Sequence, residues 1–111
     1  MDTLGRKVRA VVSFTATGDN EVIAAPGAGA HIQIDHIEFI VSAASNLIFK
    51  GGSTNISGTY TYSAGGSYAF DNSSKDWPMT IAANTAFNIN QSGTATVGGM
   101  IFYRIVGEVV V

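Results

Sequence analysis

Apolar and polar residues alternate along much of this chain with a period of two, which is typical of β-strands that bury one face. The first such stretch runs from Val8 to Ala16, and the longest runs from Thr94 to Val106. One face of the longest strand carries Ala95, Val97, Ile101, Tyr103 and Ile105, and the other carries Thr96, Met100, Phe102 and Arg104. The adjacent Gly98 and Gly99 in its middle indicate a bend or the close approach of another backbone.

A second long strand is predicted from His31 to Ser42, and its alternation changes parity half-way along. Its apolar positions are Ile32 and Ile34, followed by Ile37, Phe39 and Val41. A change of parity inside one strand is the pattern of a β-bulge, in which one strand contains an extra residue. We therefore expect a bulge near Asp35 and His36.

Shorter strands are predicted at residues 21–25, 46–50, 55–62, 68–70 and 86–90, with turns between them, including one at residues 17–20. About eight strands at this spacing indicate an all-β sandwich or barrel. We predict an eight-stranded jelly-roll β-sandwich. An immunoglobulin-like Greek-key sandwich is the alternative, although the cysteine pair that is typical of it is missing.

The length of 111 residues suffices for one domain. We expect an N-terminal arm at residues 1–7 and a single jelly-roll domain at residues 8–111. The predicted core of that domain consists of Val12, Phe14, Ile32, Ile34, Ile37, Phe39, Phe87, Ile89, Val97, Ile101 and Tyr103.

Charged residues make up only 13% of the chain and the net charge is −2. This balance argues against nucleic-acid binding, because the one basic cluster, Arg6, Lys7 and Arg9, is too short to follow a phosphate backbone. Cysteine is absent, which suggests assembly inside a cell or stabilisation by oligomerisation. The stretch from Val8 to Ala16 is too polar for a signal-peptide core, and no apolar run approaches the ~20 residues of a membrane helix. We expect synthesis in the cytoplasm and no membrane partner.

The order of segments resembles the small jelly-roll decoration, or cement, proteins of tailed bacteriophages. The resemblance is carried by the bulged strand His31–Ser42, by Leu47–Gly52, by Thr85–Asn90 and by the closing Ala95–Arg104. It implies a homotrimer on the outer surface of the capsid, with the major capsid protein as partner. It also implies a structural role, with no catalysis, no cofactor and no small-molecule substrate.

One group of residues is the candidate for contact with the capsid, and a second group is the candidate for the trimer interface. In the N-terminal arm, Leu4, Arg6 and Lys7 are candidates for ordering on the capsid surface, although a frayed terminus fits the sequence as well. Trp77, beside a polar loop, is the other capsid-binding candidate. The valines Val109, Val110 and Val111 are candidates for the trimer interface, either by adding a strand to a neighbouring subunit or by packing at a symmetry axis. The alternative is an edge strand within its own sandwich.

A glycan-binding module of a tail fibre or baseplate is the alternative function. Trp77 with Tyr60, Tyr62 and Tyr68 would form the aromatic platform on which sugars stack, although aromatic residues are equally common at protein interfaces and in cores.

Catalysis and metal binding have weaker signals. His31, Asp35, His36 and Glu38 are conceivable metal ligands, and residues 71–76 are rich in oxygen ligands suited to calcium. The loop lacks the spacing of an EF-hand, and the chain lacks the Gly-x-Ser-x-Gly elbow of a serine hydrolase. We therefore predict no enzyme, no metal and no cofactor.

Overall fold

The computed structural model describes residues 7–71 and 79–107. Within these ranges the chain forms ten β-strands and no helix, so no helix in the described part of the chain is long and apolar enough to span a bilayer. The strands are β1 (Val8–Phe14), β2 (Gly18–Ile23), β3 (Ala30–Val41), β4 (Ser45–Gly51), β5 (Thr54–Asn55), β6 (Tyr60–Tyr62), β7 (Gly66–Asp71), β8 (Met79–Thr80), β9 (Phe87–Gln91) and β10 (Val97–Gly107).

The strands form two antiparallel sheets that pack face to face as a β-sandwich. Sheet 1 has the order β1-β10-β3-β7, and β8 pairs with the other end of β3. Sheet 2 has the order β2-β9-β4-β5, and β6 also pairs with β4. The all-β sandwich predicted from the alternation is therefore confirmed.

The number of strands differs from the predicted eight. The single strand predicted at residues 55–62 is instead two short strands, β5 and β6, which pair with opposite ends of β4. Gly58 lies in the gap between them, where the backbone makes no ladder. The turn predicted at residues 17–20 is also displaced, because Gly18 already begins β2 and pairs with Gln91 of β9.

The core lies between the two sheets and contains most of the predicted residues. Of these, Phe14 and Tyr103 are only partly buried, although they pack against the core. Six further core residues were not predicted: Ile23, Val41, Leu47, Phe49, Ile81 and Ala95. Phe49 connects the sheets, since its ring contacts Phe39 of sheet 1 at a centroid distance of 6.2 Å and Phe87 of sheet 2 at 5.8 Å.

The bulge predicted in β3 is present at Asp35. Phe102 of β10 pairs with His36 and Tyr103 pairs with Ile34, so Asp35 is the extra residue. The insertion explains why Ile34 and Ile37 both face the core although they are three positions apart.

Gly99 lies where β10 and β3 approach closely. A Cβ atom built on Gly99 would overlap the carbonyl oxygen of Glu38 and lie 2.6 Å from Phe39 Cα. A Cβ on Gly98 would have no neighbour within 4 Å. The close approach that the glycine pair predicted is therefore real, and it concerns Gly99 alone.

Candidate functional site

The outward side of sheet 1 presents three rows of residues that cross β1, β10, β3 and β7. The register of the strand pairings defines these rows. The first row is Arg9, Phe102, His36 and Asp71. The second row is Val11, Met100, Glu38 and Ala69. The third row is Ser13, Gly98, Ile40 and Ser67. We call these positions the sheet 1 face.

The sheet 1 face is more apolar than the solvated side of an ordinary antiparallel sheet. Val11 is 71% exposed and Ile40 is 59% exposed, and half-buried Met100 and Phe102 lie between them on β10. A solvated sheet face normally carries polar residues at such positions. Grouped exposed apolar side chains mark surfaces that bind other molecules.

The outward side of sheet 2 provides a contrast within the same molecule. Its positions include Asp19, Glu21, Asn88, Asn90 and Lys50. Asp19 accepts hydrogen bonds from Asn90 (2.7 Å) and from Lys50 (3.3 Å). The hydrogen bond from Asn90 has the larger effect, and together with the one from Lys50 it lowers the pKa of Asp19 against the opposing effect of burial. Polar groups that are already paired with each other make this side an ordinary solvated surface.

One end of the sheet 1 face is acidic and the other is basic. His36 Nε2 lies 2.9 Å from a Glu38 carboxylate oxygen, and His36 Nδ1 lies 3.7 Å from Asp71 Oδ1. The His36 ring also lies 5.8 Å from the ring of Phe102. On the opposite edge strand, Arg9 is exposed and forms no ion pair with the described residues. Positive charge therefore lies at the β1 edge and negative charge towards the β7 edge.

Asp35 has a structural environment rather than the metal-binding one considered from the sequence. Its side chain is buried at the bulge, where Arg104 Nε donates a hydrogen bond of 2.7 Å and Gln33 Nε2 donates one of 3.1 Å. Burial by itself would raise the pKa of Asp35, but these hydrogen bonds and the charge of Arg104 outweigh it and hold the pKa below its ordinary value.

Of the candidate ligands His31, Asp35, His36 and Glu38, the structure brings only His36 and Glu38 into contact. The bulge places His31 and His36 on the same side of β3, but roughly 15 Å of strand separates them at about 3.3 Å per residue. The part of the chain that the structure describes contains no group of three His, Asp or Glu side chains placed to hold a metal ion. Most of the calcium-like loop at residues 71–76 lies outside the described residues, since the described chain stops at Asp71 and resumes at Met79.

Most of the predicted contact residues also lie outside the described ranges. These are Leu4, Arg6, Trp77, Val109, Val110 and Val111. Lys7 is described, and it is exposed immediately before β1, two residues before Arg9. It thus adds to the positive charge at the β1 edge of sheet 1.

The three tyrosines of the predicted sugar platform lie together but do not form an open platform. Tyr60, Tyr62 and Tyr68 are half-buried, and their rings close the side of the sandwich between β6 and β7. Tyr68 stacks on Phe39 at 5.5 Å and meets Phe49 edge-on at 5.3 Å. Burial, followed by the Tyr60 hydroxyl, raises the pKa of Tyr68 well above its usual value. These rings are part of the core packing.

One open depression of about 370 Å³ lies beside the β4–β5 turn. Its lining includes the hydroxyl residues Ser53, Thr54 and Thr85, together with the exposed side chain of Ile56. No charged residue is among the residues that line it.

The residues of the sheet 1 face were not recognised from the sequence as a group. The available signal was an apolar residue at a position that the alternation assigns to solvent, such as Val11 between Arg9 and Ser13. Only the strand order brings Val11 into one surface with Met100 and Ile40. No protein-family model, curated protein or solved structure matches this chain.

Proposed function

We propose that this chain is a structural protein of a tailed-phage virion, a jelly-roll decoration protein that binds the outer surface of the capsid as a homotrimer and stabilises it. The observation that supports an interaction role is the sheet 1 face, where the exposed apolar side chains of Val11 and Ile40 lie on the same surface as charged residues. Such a surface suits protein contact, because interface cores are depleted of charge.

The strand order supports the jelly-roll assignment. If the two-residue strands β5 and β8 are set aside, eight strands remain, four in each sheet. Their orders are β1-β10-β3-β7 and β2-β9-β4-β6, and the chain crosses from one sheet to the other at most connections. A jelly roll is built from eight strands in two sheets connected as two Greek keys, so this strand order favours that assignment.

The chain would stabilise the capsid by physical contact and without catalysis. Each trimer would bridge neighbouring capsid subunits through shallow contacts, and many such contacts over a lattice would hold firmly through avidity. The candidates for contact with the major capsid protein remain Leu4, Arg6, Lys7 and Trp77, and the candidates for the trimer interface remain Val109, Val110 and Val111.

Binding to empty capsids tests this proposal directly. The capsids would be assembled from the major capsid protein of the same genome, and bound chain would be quantified after sedimentation. Lys7→Ala should weaken binding, whereas Lys50→Ala on the outward side of sheet 2 should not. Light scattering should give a trimer mass, and removal of residues 109–111 should reduce it. Absence of binding to these capsids would refute the decoration role.

A glycan-binding module is the second candidate, and the hydroxyl-rich depression beside the β4–β5 turn is the feature that favours it. A glycan array separates the two candidates. A decoration protein should bind no sugar, whereas a receptor-binding module should bind a defined glycan and lose binding when Thr85 is replaced by a bulky residue such as Trp.

A further inference from the structure

The sheet 1 face is complementary to itself in charge and in shape. We propose that it packs against the same face of a second copy of the chain, about a two-fold axis parallel to the strands. This goes beyond the proposed trimer, because a two-fold contact is a different interface from a three-fold one. On a capsid it would join neighbouring trimers.

The geometry follows from the strand order. A two-fold axis that runs along the strands, between β10 and β3, keeps each residue at the same height along the strands and reverses the order of the strands. The β1 strand of one copy then lies over β7 of the other, and β10 lies over β3. Each of the three rows therefore packs against the same row of the second copy, read in the opposite order across the strands. The two sheets then adopt the aligned angle typical of sheets that pack face to face.

The first row gives charge complementarity. Its order is Arg9, Phe102, His36, Asp71. After reversal, Arg9 faces Asp71 of the second copy, and Phe102 faces His36 of the second copy. Both pairs occur twice because the interface is symmetric. Arg9 has no ion-pair partner among the described residues of its own chain, so this contact would supply one.

The third row gives shape complementarity. Ile40 projects from β3 and is 59% exposed, while the neighbouring Gly98 leaves open space above β10. After reversal, Ile40 lies over Gly98 of the second copy, and the serines Ser13 and Ser67 face each other across the two edges.

The second row is compatible with the same arrangement. Val11 lies over Ala69 of the second copy, an apolar pair of small side chains. Met100 lies over Glu38, whose carboxylate is already held by His36 at 2.9 Å. In this row the Glu38 carboxylate therefore keeps a hydrogen-bond partner within its own chain.

The area of the sheet 1 face indicates how tightly two copies should associate. Four strands of about seven residues cover roughly 450 Å² per copy at ~3.4 Å per residue and ~4.8 Å between strands. A standard stable interface buries about 800 Å² per partner, and smaller ones belong to weak associations. We therefore expect a reversible, concentration-dependent dimer that the capsid lattice would reinforce.

Engineered cysteines test the geometry, because the chain contains none of its own. The double variant Arg9→Cys/Asp71→Cys should be joined into a covalent dimer by a short bis-maleimide, because the facing Cα atoms of two packed sheets are ~10 Å apart, which such a linker spans and a direct disulfide does not. The two sites of one chain are three strand spacings apart, about 14 Å, with side chains that point the same way, which is beyond the reach of the same linker. Each single variant should stay unlinked, while an equimolar mixture of the two should form one mixed dimer. Equal cross-linking of the single variants, or none in the double variant, would overturn the proposed geometry.

Charge reversal tests the association itself. In sedimentation velocity up to ~1 mM, which detects contacts with a Kd as weak as about 1 mM, the species that predominates at low wild-type concentration should associate into one of twice its mass. Arg9→Glu or Asp71→Arg should weaken this step about ten-fold, since each reverses two symmetric ion pairs. The combined variant Arg9→Glu/Asp71→Arg should restore it, and Glu21→Lys on sheet 2 should leave it unchanged.

The outcomes separate this inference from the proposed function. A wild-type protein whose mass never doubles, or a combined variant without rescue, overturns the two-fold contact even if the chain binds capsids. Conversely, a chain that doubles and shows rescue but does not bind capsids supports the contact and refutes the decoration role.

Discussion

Replacing Gly99 by alanine should destabilise the protein strongly, whereas the same change one residue earlier should not. Gly99 and Gly98 are neighbours in β10 and pair with Phe39 and Ile40 of β3. A Cβ at Gly99 would overlap the carbonyl oxygen of Glu38 and lie 2.6 Å from Phe39 Cα, while a Cβ at Gly98 would meet nothing within 4 Å. The pair thus offers a matched control for a single added methyl group.

The magnitude follows from the displacement that the methyl group requires. Carbon atoms in contact are normally ~3.5–4.0 Å apart, so β10 would have to move away from β3 by more than about 1 Å to clear both atoms. Overpacking of this kind costs about 1–3 kcal/mol, and each disturbed ladder hydrogen bond adds about 1 kcal/mol. Gly99→Ala should therefore cost about 3–5 kcal/mol. Gly98→Ala should leave the free energy of unfolding unchanged or raise it by up to ~1 kcal/mol, because alanine reduces the conformational entropy of the unfolded chain.

Equilibrium urea unfolding at low protein concentration measures both changes on the monomer. A loss of 3–5 kcal/mol would remove a large part of the ~5–15 kcal/mol by which a domain is typically stable. If Gly99→Ala lay within about 1 kcal/mol of both the wild type and Gly98→Ala, the close contact of β3 and β10 would be refuted.

Four further predictions concern the core and its titratable groups. Phe39→Ala should cost about 3–5 kcal/mol in urea unfolding, since the ring is buried among aromatic neighbours, and a cost below about 1 kcal/mol would contradict the strand register. Asp35→Ala should cost about 1.5–3 kcal/mol because it removes a buried carboxylate that accepts a charge-assisted hydrogen bond from Arg104, whereas exposed Asp71→Ala should cost less than about 1 kcal/mol; similar costs would refute the buried pair. The pKa of Asp35 is lowered in the folded protein, so its contribution to stability is complete above the ordinary carboxyl pKa and disappears as pH falls through the folded value. Asp35→Asn should therefore lose less stability at acidic pH than the wild type, as measured by the urea midpoint at a series of pH values. The pKa of Tyr68 is raised, so its contribution is complete below the ordinary tyrosine value and disappears at higher pH; Tyr68→Phe should reduce the alkaline loss of stability, and an unchanged alkaline limb would contradict its burial.

Alternation of apolar and polar residues was sufficient to define the long strands and their buried faces. In β10 the predicted inward residues Val97 and Ile101 are fully buried, and in β3 the change of parity located the bulge at Asp35. These features are readable from the sequence because side chains alternate strictly between the faces of a strand. The fold class and most of the core follow from that local rule.

Contacts between distant segments were decided by tertiary structure. Gln91 shows this most clearly, since it is polar and yet completely buried. Its amide nitrogen donates to the carbonyl groups of Ala16 and Ala95, and its amide oxygen accepts from Ser45. No periodicity marks such a residue, because burial without cost depends on partners that only the assembled sandwich supplies.

The sheet 1 face illustrates the same division. The sequence determined that Val11, Ile40 and Met100 lie on strands at positions of outward parity. Only the order β1-β10-β3-β7 decided that they form one surface, with Arg9 at one edge and Asp71 at the other. Parity along a strand is a local property of the chain, whereas neighbourhood across a sheet depends on which strands pair and in which register.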